Sequence, residues 1–215
     1  MKPSVRNNGS VHKVAHKPDR QPDQCKYQVV AVGASAGGLN SLFQLLQPLP
    51  SSLPFGILVV QHLSRDHPSV MAQLLMRRTA LGVHEARDGE SILAGVVYVA
   101  PPNLHLLAEP GNVRLLRAPE VHYCRPSIDL LFDSVAVNYG ARSIAVVLSG
   151  SGIDGTAGLR AVKAAGGVTI TEDPSKAEFP SMAYSAIATG CVDMVLPLDK
   201  IAMALLELAE VKVAT

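Results

Sequence analysis

The sequence predicts an α/β fold with a doubly wound, mostly parallel sheet, helices on both faces and an inserted β-hairpin. Short apolar runs alternate with amphipathic helical patterns along most of the chain, which is typical of parallel sheets wrapped by helices. The 215 residues, 48% of them apolar, suffice for one complete core and hardly for two. A Pro-Gly-Asn turn at residues 110 to 112 predicts the hairpin.

The first half of the chain opens with an apolar strand that runs into a glycine-rich turn. In YQVVAVGASAGGLNSLFQLL, residues 27 to 46, strand 27–34 leads into helix 37–48. A strand at 56–61 and a helix at 68–79 follow. The segments GVVYVAPP (95–102) and HLLAEPGNVRLLR (105–117) are expected to be extended arms between the two halves, and the second folds at the turn.

The second half returns to alternating strands and helices. A helix is predicted at 126–138, before the first of three further strands. The patterns predict strands at 143–149, 168–172 and 192–196, followed by helices at 155–166, 180–188 and 198–212.

The first 24 residues differ from the rest of the chain. MKPSVRNNGSVHKVAHKPDRQPDQ is polar, mixed in charge and without periodicity, so residues 1–24 are predicted to be a disordered tail or linker. Residues 25–213 are then expected to form one folded domain.

Composition excludes several functional classes. A net charge of +1 and 4% aromatic residues, with no Trp, argue against nucleic-acid binding. No run reaches the roughly 18 consecutive apolar residues of a membrane span, so no membrane insertion is expected. Cys25, Cys124 and Cys191 are scattered in a chain without a signal peptide. We therefore expect free thiols and a cytoplasmic protein.

Three polar side chains follow predicted strands, where open α/β sheets bind their ligands. Ser35 follows the first strand in a G-x-S-x-G turn, His62 ends the second, and Asp154 lies in VVLSGSGIDG. A hydroxyl, an imidazole and a carboxylate at one edge predict a catalytic triad. In it the histidine removes the serine proton and the carboxylate orients the imidazole.

Each of these residues also has a structural interpretation. Ser35 is a candidate N-cap for helix 37–48, and Asp154 is one for helix 155–166. His62 alone could be an ordinary histidine at the end of a strand. The three together are more specific than any one of them.

A dinucleotide site is the main alternative. The GSGIDG loop, Gly150 to Gly155, matches G-x-G-x-x-G between a strand and a helix, and Glu172 and Asp173 follow at about 20 residues. Against this, Asp154 places a carboxylate inside the loop where the pyrophosphate would lie. Ser35 likewise replaces the middle glycine of the first loop.

Four other polar residues are candidates for contacts with a metal or a substrate. His105, His122 and Cys124 are conceivable soft metal ligands, but they lack paired C-x-x-C or H-E-x-x-H spacing, so neither a metal nor a cofactor is expected. Arg125 precedes helix 126–138 and could contact a substrate carboxylate or face solvent.

Five segments resemble one known family. VGASAGG, VVQHL, YVAPPNLHLL, RPSIDLLFDSVA and VVLSGSGIDGTAGLRAVKAAGG occur in the order found in the catalytic domain of chemotaxis receptor methylesterases, the CheB family. The resemblance covers residues 27 to 205. It implies a doubly wound parallel sheet and hydrolysis of glutamyl methyl esters on cytoplasmic chemoreceptor helices, with deamidation of receptor glutamines. The family's catalytic serine, histidine and aspartate fall on Ser35, His62 and Asp154.

The chain also departs from the usual family pattern. Ala36, Ser151 and Ala183 stand where the family commonly has Thr, Met and Pro. These differences resemble modules fused to receptor methyltransferase and sensor domains. Because only a short polar tail precedes the first strand, we expect no switching by a receiver domain of this chain. A separate receiver protein or a methyltransferase is then a candidate partner.

The reaction also needs donors for an oxyanion. Backbone amides at the start of helix 37–48 (Gly37, Gly38) or in the loop Gly150, Ser151 and Gly152 are the expected donors. The prediction is thus a serine esterase of the methylesterase type. The alternative is a dinucleotide-binding or catalytically idle partner-binding module that uses the Gly150–Gly155 loop.

Overall fold

A computed structural model describes residues 28–62 and 69–210. Their main element is one seven-stranded, fully parallel sheet in the order β3-β4-β2-β1-β7-β8-β9. Its strands are β1 (Val29–Ala34), β2 (Gly56–Gln61), β3 (Gly82–Glu85), β4 (Val96–Val99), β7 (Ser143–Val147), β8 (Val168–Glu172) and β9 (Met194–Leu196). The predicted α/β class is confirmed. The predicted tail, residues 1–24, lies outside the described residues.

The inserted hairpin is also present. Strands β5 (His105–Glu109) and β6 (Asn112–Leu116) pair antiparallel in a separate two-stranded sheet. Pro110 and Gly111 make the turn, and Gly111 has a φ of 80°, which suits a residue without a Cβ. Expecting GVVYVAPP to be an arm like the hairpin was wrong, because this segment forms β4 inside the main sheet, buried between β3 and β2.

Among the residues that the structure describes, six α-helices lie close to their predicted positions. They are α1 (Gly38–Leu46), α2 (Met71–Met76), α3 (Ile128–Tyr139), α4 (Thr156–Ala164), α5 (Ser181–Ala188) and α6 (Leu198–Leu208). Pro68 and the start of predicted helix 68–79 lie outside the described residues.

Side chains of the central strand alternate between two cores, which is why the sheet is covered on both faces. In β1, Val30 and Val32 pack into a core with residues of α1, α2 and α6. Val29 and Ala31 face the opposite core, which is formed with α3, α4, α5 and the hairpin. All four are fully buried. Burying a Val side chain contributes about 1.5–3 kcal/mol, so this strand is a rigid base for the residues that follow it.

Within the described ranges, every helix is too short or too polar to span a lipid bilayer. Cys124 and Cys191 are free thiols, and Cys25 lies outside these ranges.

Candidate active site

The carboxyl ends of three neighbouring strands bring the predicted triad to one edge. Ser35 directly follows β1, His62 directly follows β2, and Asp154 lies in the loop between β7 and α4. Strands β2, β3 and β4 lie on one side of β1, and the later strands β7, β8 and β9 lie on its other side. Such a reversal of strand order opens a crevice between the adjoining loops, where α/β proteins bind ligands.

The backbone of Ser35 is fixed from both sides. Its amide donates to the Ser149 carbonyl at 3.0 Å, and its carbonyl accepts from the Gln61 side-chain amide Nε2 at 2.6 Å. The N-cap of α1 is Gly37, with a left-handed φ of 72°, and no side chain caps this helix. Ser35 is therefore not the N-cap that the sequence also allowed, and its half-buried side chain remains available to a ligand.

His62 and Asp154 form a direct pair. Imidazole Nε2 lies 2.9 Å from Asp154 Oδ2, and the side chains are 15% and 3% exposed. Three further groups donate to the carboxylate: Ser127 Oγ (2.9 Å), the Ile128 amide (2.8 Å) and the Asp129 amide (2.9 Å).

Asp154 thus caps a helix other than the adjacent one. The N-cap of α4 is Gly155 and makes no side-chain hydrogen bond, so the N-cap interpretation of Asp154 for this helix was wrong. Its carboxylate instead accepts hydrogen bonds from the first amides of α3, whose own N-cap is Ser127. The partial positive charge at a helix N-terminus stabilises a carboxylate at this position.

The electrostatics of the pair favour two opposite charges. Burial raises the pKa of Asp154, but the hydrogen bonds from His62, Asp129 and Ile128 outweigh it and hold the pKa below its ordinary value. Burial lowers the pKa of His62, yet its contacts with Asp154 and Cys124 raise it to about 9. The site therefore stabilises an imidazolium, the state that a general base reaches when it removes a proton.

The second imidazole nitrogen faces a thiol. Nδ1 lies 3.8 Å from Cys124 Sγ, and Cys124 Sγ donates to the His122 carbonyl at 3.4 Å. Among the described residues, the Ser35 hydroxyl makes no hydrogen bond to this ring. In enzymes without substrate, hydrogen bonds between catalytic groups are often long and tighten only in the complex.

The expected oxyanion donors differ in availability. The Gly38 amide donates to the Ser35 carbonyl at 2.9 Å and the Gly150 amide to the Phe179 carbonyl at 2.9 Å, so both are engaged within the protein. In the described part of the chain, the amides of Ala36, Gly37, Ser151 and Gly152 donate no hydrogen bond. The structure thus restricts the expected set to Gly37, Ser151 and Gly152 and adds Ala36, the residue after the serine.

Sequence reasoning missed the side chains that support this edge. Gln61 Nε2 donates to the carbonyls of both Ser35 (2.6 Å) and His62 (3.1 Å), which connects the segments that carry these two residues. Ser149 Oγ donates to the Ala36 carbonyl at 3.1 Å, while the Ser149 amide donates to buried Glu172 at 2.7 Å. Gln61 stands beside His62 in the sequence, and that adjacency was the one available signal.

Three residues considered as ligands have partners within the protein. Arg125 donates to Asn103 Oδ1 at 2.6 and 2.8 Å and to the Ala118 carbonyl at 2.6 Å. Buried His105 accepts from the Ser127 amide at 3.1 Å and donates to a backbone carbonyl at 3.0 Å. His122 Nε2 lies 3.4 Å from Asp129 Oδ2.

A protein-family comparison agrees with this geometry. Residues 30–205 match the family model described as CheB methylesterase. The chain belongs to the CheB methylesterase family.

Curated CheB relatives are similar over most of this chain. A protein-glutamate methylesterase/protein-glutamine glutaminase 2 of Anaeromyxobacter dehalogenans is 43% identical over 183 residues, which cover 85% of this chain and 54% of that protein. A putative protein-glutamate methylesterase/protein-glutamine glutaminase of Leptospira interrogans is 38% identical, covering 82% of this chain and 92% of that protein. The chain thus spans about half the length of some curated relatives and nearly all of others.

A solved CheB structure has the same fold. The crystal structure of the Thermotoga maritima CheB methylesterase catalytic domain superposes with a TM-score of 0.81 at 38% identity, covering 85% of this chain and 98% of that one.

The same geometry argues against the dinucleotide alternative for this CheB family member. A Cβ on Gly150 would lie 2.1 Å from Met182 Sδ and 2.8 Å from Ser35 Cβ, so packing within the protein accounts for this glycine. Glu172, one of the two candidate ribose ligands, is 1% exposed and accepts from Ser149 and Ser41. Neither Gly150 nor Glu172 has the role that a dinucleotide requires.

Proposed function

We propose that this protein hydrolyses glutamyl methyl esters of chemoreceptors with Ser35, His62 and Asp154 as a catalytic triad. The observation that carries the proposal is the buried 2.9 Å His62–Asp154 pair at the strand edge that also holds Ser35. Membership of the CheB methylesterase family supports the choice of substrate.

The first half of the reaction forms an acyl-enzyme. Neutral His62 takes the Ser35 proton, and Oγ attacks the carbonyl carbon of the ester. Nδ1 is the ring nitrogen left for this proton, because Nε2 is paired with Asp154. Backbone amides near Ala36 and Gly37 stabilise the oxyanion, a contribution worth about 10² to 10³ in rate. The C–O bond to the methoxy group then breaks, and the imidazolium returns its proton to give methanol.

The second half releases the product. His62 takes a proton from water, whose oxygen attacks the acyl carbon, and the bond to Ser35 Oγ breaks as the proton returns to the serine. Glutamate and free enzyme result. Asp154 stays ionised throughout and stabilises each imidazolium intermediate.

The same site suits a second leaving group. Attack on a glutamine side-chain amide forms the same acyl-enzyme and releases ammonia after protonation by His62. The names of the curated relatives pair methylesterase with protein-glutamine glutaminase activity, and this supports extending the proposal to deamidation.

The surroundings of the triad fit a protein substrate rather than a small molecule. The pocket beside His62 is partly open, and its lining includes the exposed apolar side chains of Tyr123 (91%) and Ile153 (54%). These features support a methylated cytoplasmic helix as the partner. A separate receiver protein or a methyltransferase remains our proposal for a regulatory partner.

Ser35→Ala is the decisive variant. It should abolish methanol release from a methylated receptor fragment without unfolding the protein, since only the nucleophile is removed. Ser91→Ala, at an exposed serine bonded to Asn112, is the matched control and should release methanol at the wild-type rate. Equal rates for Ser35→Ala and wild type would overturn the triad.

A further inference from the structure

Three metal-ligating side chains converge where the proposed hydrolysis uses only two. One nitrogen of His62, Cys124 Sγ and one Asp154 oxygen all lie within 4.8 Å of one another. Within residues 28–62 and 69–210, no other group of three such side chains has this geometry. Cys124 raises the pKa of His62, but it transfers no proton and forms no bond in the proposed hydrolysis.

The distances are close to those of a metal site. Ligand atoms of a tetrahedral zinc ion lie about 3.5 Å apart, given bond lengths of about 2.0–2.3 Å to nitrogen, oxygen and sulfur. Contacts within 4.8 Å therefore need to close by about 1.3 Å at most, the scale of small side-chain rotations. The three residues line one pocket of about 270 Å³ that is open on one side, so water can take the fourth position.

Charge and chemistry select the ion. A thiolate, a carboxylate and a neutral imidazole carry two negative charges, which balance a divalent cation. Mixed sulfur, nitrogen and oxygen ligands suit Zn²⁺, whereas Mg²⁺ and Ca²⁺ prefer oxygen alone. Asp154 is held by hydrogen bonds from Ser127, Ile128 and Asp129, and such outer contacts commonly orient the ligands of metal sites.

We propose that His62, Cys124 and Asp154 bind Zn²⁺ reversibly and that the bound ion inhibits hydrolysis. Zinc on Nδ1 would take the lone pair that accepts the Ser35 proton, and zinc on Nε2 would leave the ring proton on Nδ1, so the ring is no base in either case. The ion also draws away the carboxylate that orients the ring. Only the inhibition depends on the proposed function; the binding of the ion does not. Cys124 is the residue that converts the acid–base pair into a site of three ligands.

Cobalt absorption tests binding without any activity assay. A Cys25→Ser/Cys191→Ser protein without a polyhistidine tag keeps Cys124 as its one thiol, because the chain has three cysteines. Titration with Co²⁺ should give a thiolate-to-cobalt charge-transfer band and the visible bands of a tetrahedral site. Zn²⁺ should then displace the cobalt. Adding Cys124→Ser should abolish the charge-transfer band and weaken Zn²⁺ binding at least about tenfold, or about 1.4 kcal/mol.

Methanol release provides the second measurement. Zn²⁺ should inhibit the Cys25→Ser/Cys191→Ser protein and a chelator should restore its rate. The Cys124→Ser version, compared with its own metal-free rate, should need at least about tenfold more Zn²⁺ for equal inhibition. A protein that shows the cobalt band but releases no methanol without metal would refute the proposed hydrolysis and leave the metal site intact.

Other outcomes would overturn the metal site. The absence of a charge-transfer band in the protein with Cys124 alone would refute binding. Zn²⁺ affinity unchanged by Cys124→Ser would refute the role of the thiol. Activation by Zn²⁺, or binding at Cys124 without a change in rate, would refute inhibition.

Discussion

Replacing Asp154 by Asn separates its catalytic role from its structural role. The carboxylate accepts four hydrogen bonds: Oδ1 accepts from Ser127 Oγ and the Asp129 amide, and Oδ2 from His62 Nε2 and the Ile128 amide. Asparagine has the same shape but only one acceptor oxygen. Its amide nitrogen must therefore face a backbone N–H, either that of Ile128 or that of Asp129.

This geometry sets two magnitudes. The backbone amide that loses its acceptor is buried, which costs about 1–3 kcal/mol of stability. The variant also loses the negative charge beside His62, and where its NH₂ group faces the ring it favours the wrong His62 tautomer. Together these effects should lower turnover by up to about 10⁴, or about 5.5 kcal/mol of barrier. The catalytic loss should thus exceed the stability loss.

The assay combines methanol release from a methylated receptor fragment with urea denaturation. Asp193→Asn is the matched control, since this carboxylate also accepts several hydrogen bonds, among them those from the Thr169 amide and hydroxyl. It precedes β9 and pairs with the start of β8, at the opposite edge of the sheet from the triad. Both Thr169 donors reach Oδ2, so Asp193→Asn can keep these two hydrogen bonds and should lose less stability than Asp154→Asn while keeping its turnover.

One result would refute the reasoning. If Asp154→Asn kept its turnover within about threefold, less than about 1 kcal/mol of barrier, while losing about 1–3 kcal/mol of stability, the residue would be only a cap of α3.

Three further predictions concern the surroundings of the triad. With a chelator present, kcat/KM should rise with pH, and the midpoint of this rise should lie near pH 9, because His62 must be neutral to accept a proton. Cys124→Ser should lower the midpoint. A wild-type midpoint near pH 6.5 would contradict this. Gln61→Met should lower kcat by up to about 10² with KM little changed, since the segments that carry Ser35 and His62 lose their shared donor. Its stability should stay within about 1 kcal/mol, because an unpaired buried oxygen is removed too, and a normal kcat would refute the positioning role. Gly150→Ala should lower the free energy of unfolding by about 1–3 kcal/mol and reduce turnover. Gly82→Ala is the control, because its Cβ would lie 3.7 Å from the nearest atom, and it should change neither quantity. Equal stability of the two variants would refute the packing argument.

The sequence predicted the strands with long apolar runs and missed those without them. The central strands β1, β2 and β7 were expected because they are buried on both faces and read as nearly continuous apolar sequence. β3 was missed because GVHE has four residues, of which only Val83 is buried. β4 was misplaced because the Pro-Pro that follows it resembles the end of a loop, and its partners are 40 residues away in β2.

The positions of the three triad residues were predictable from the order of the strands alone. Residues that follow neighbouring parallel strands meet at one edge, and this placed Ser35, His62 and Asp154 without knowledge of side-chain contacts. The partners of Asp154 were not predictable in this way. From the local sequence, a carboxylate just before a helix is expected to cap that helix. Asp154 instead accepts hydrogen bonds from amides 25 and 26 residues earlier in the chain. Cys124 was likewise grouped with the imidazoles of His105 and His122, but the ring that its sulfur contacts is that of His62.

The start of α3 joins the active site to the core, and this explains why residues 127–129 matter to a triad that they do not belong to. A Cβ on Gly33 would lie 2.4 Å from Ile128 Cγ2 and one on Gly155 would lie 2.8 Å from it, so this helix is wedged between β1 and the loop that carries Asp154. Ser127 Oγ donates to Asp154 and accepts from the Leu130 amide, so the residue that starts the helix also holds the carboxylate. Because the helix N-terminus keeps Asp154 ionised, it also stabilises the imidazolium of His62. Any change that displaces the first turn of α3 should therefore weaken catalysis before it unfolds the sheet.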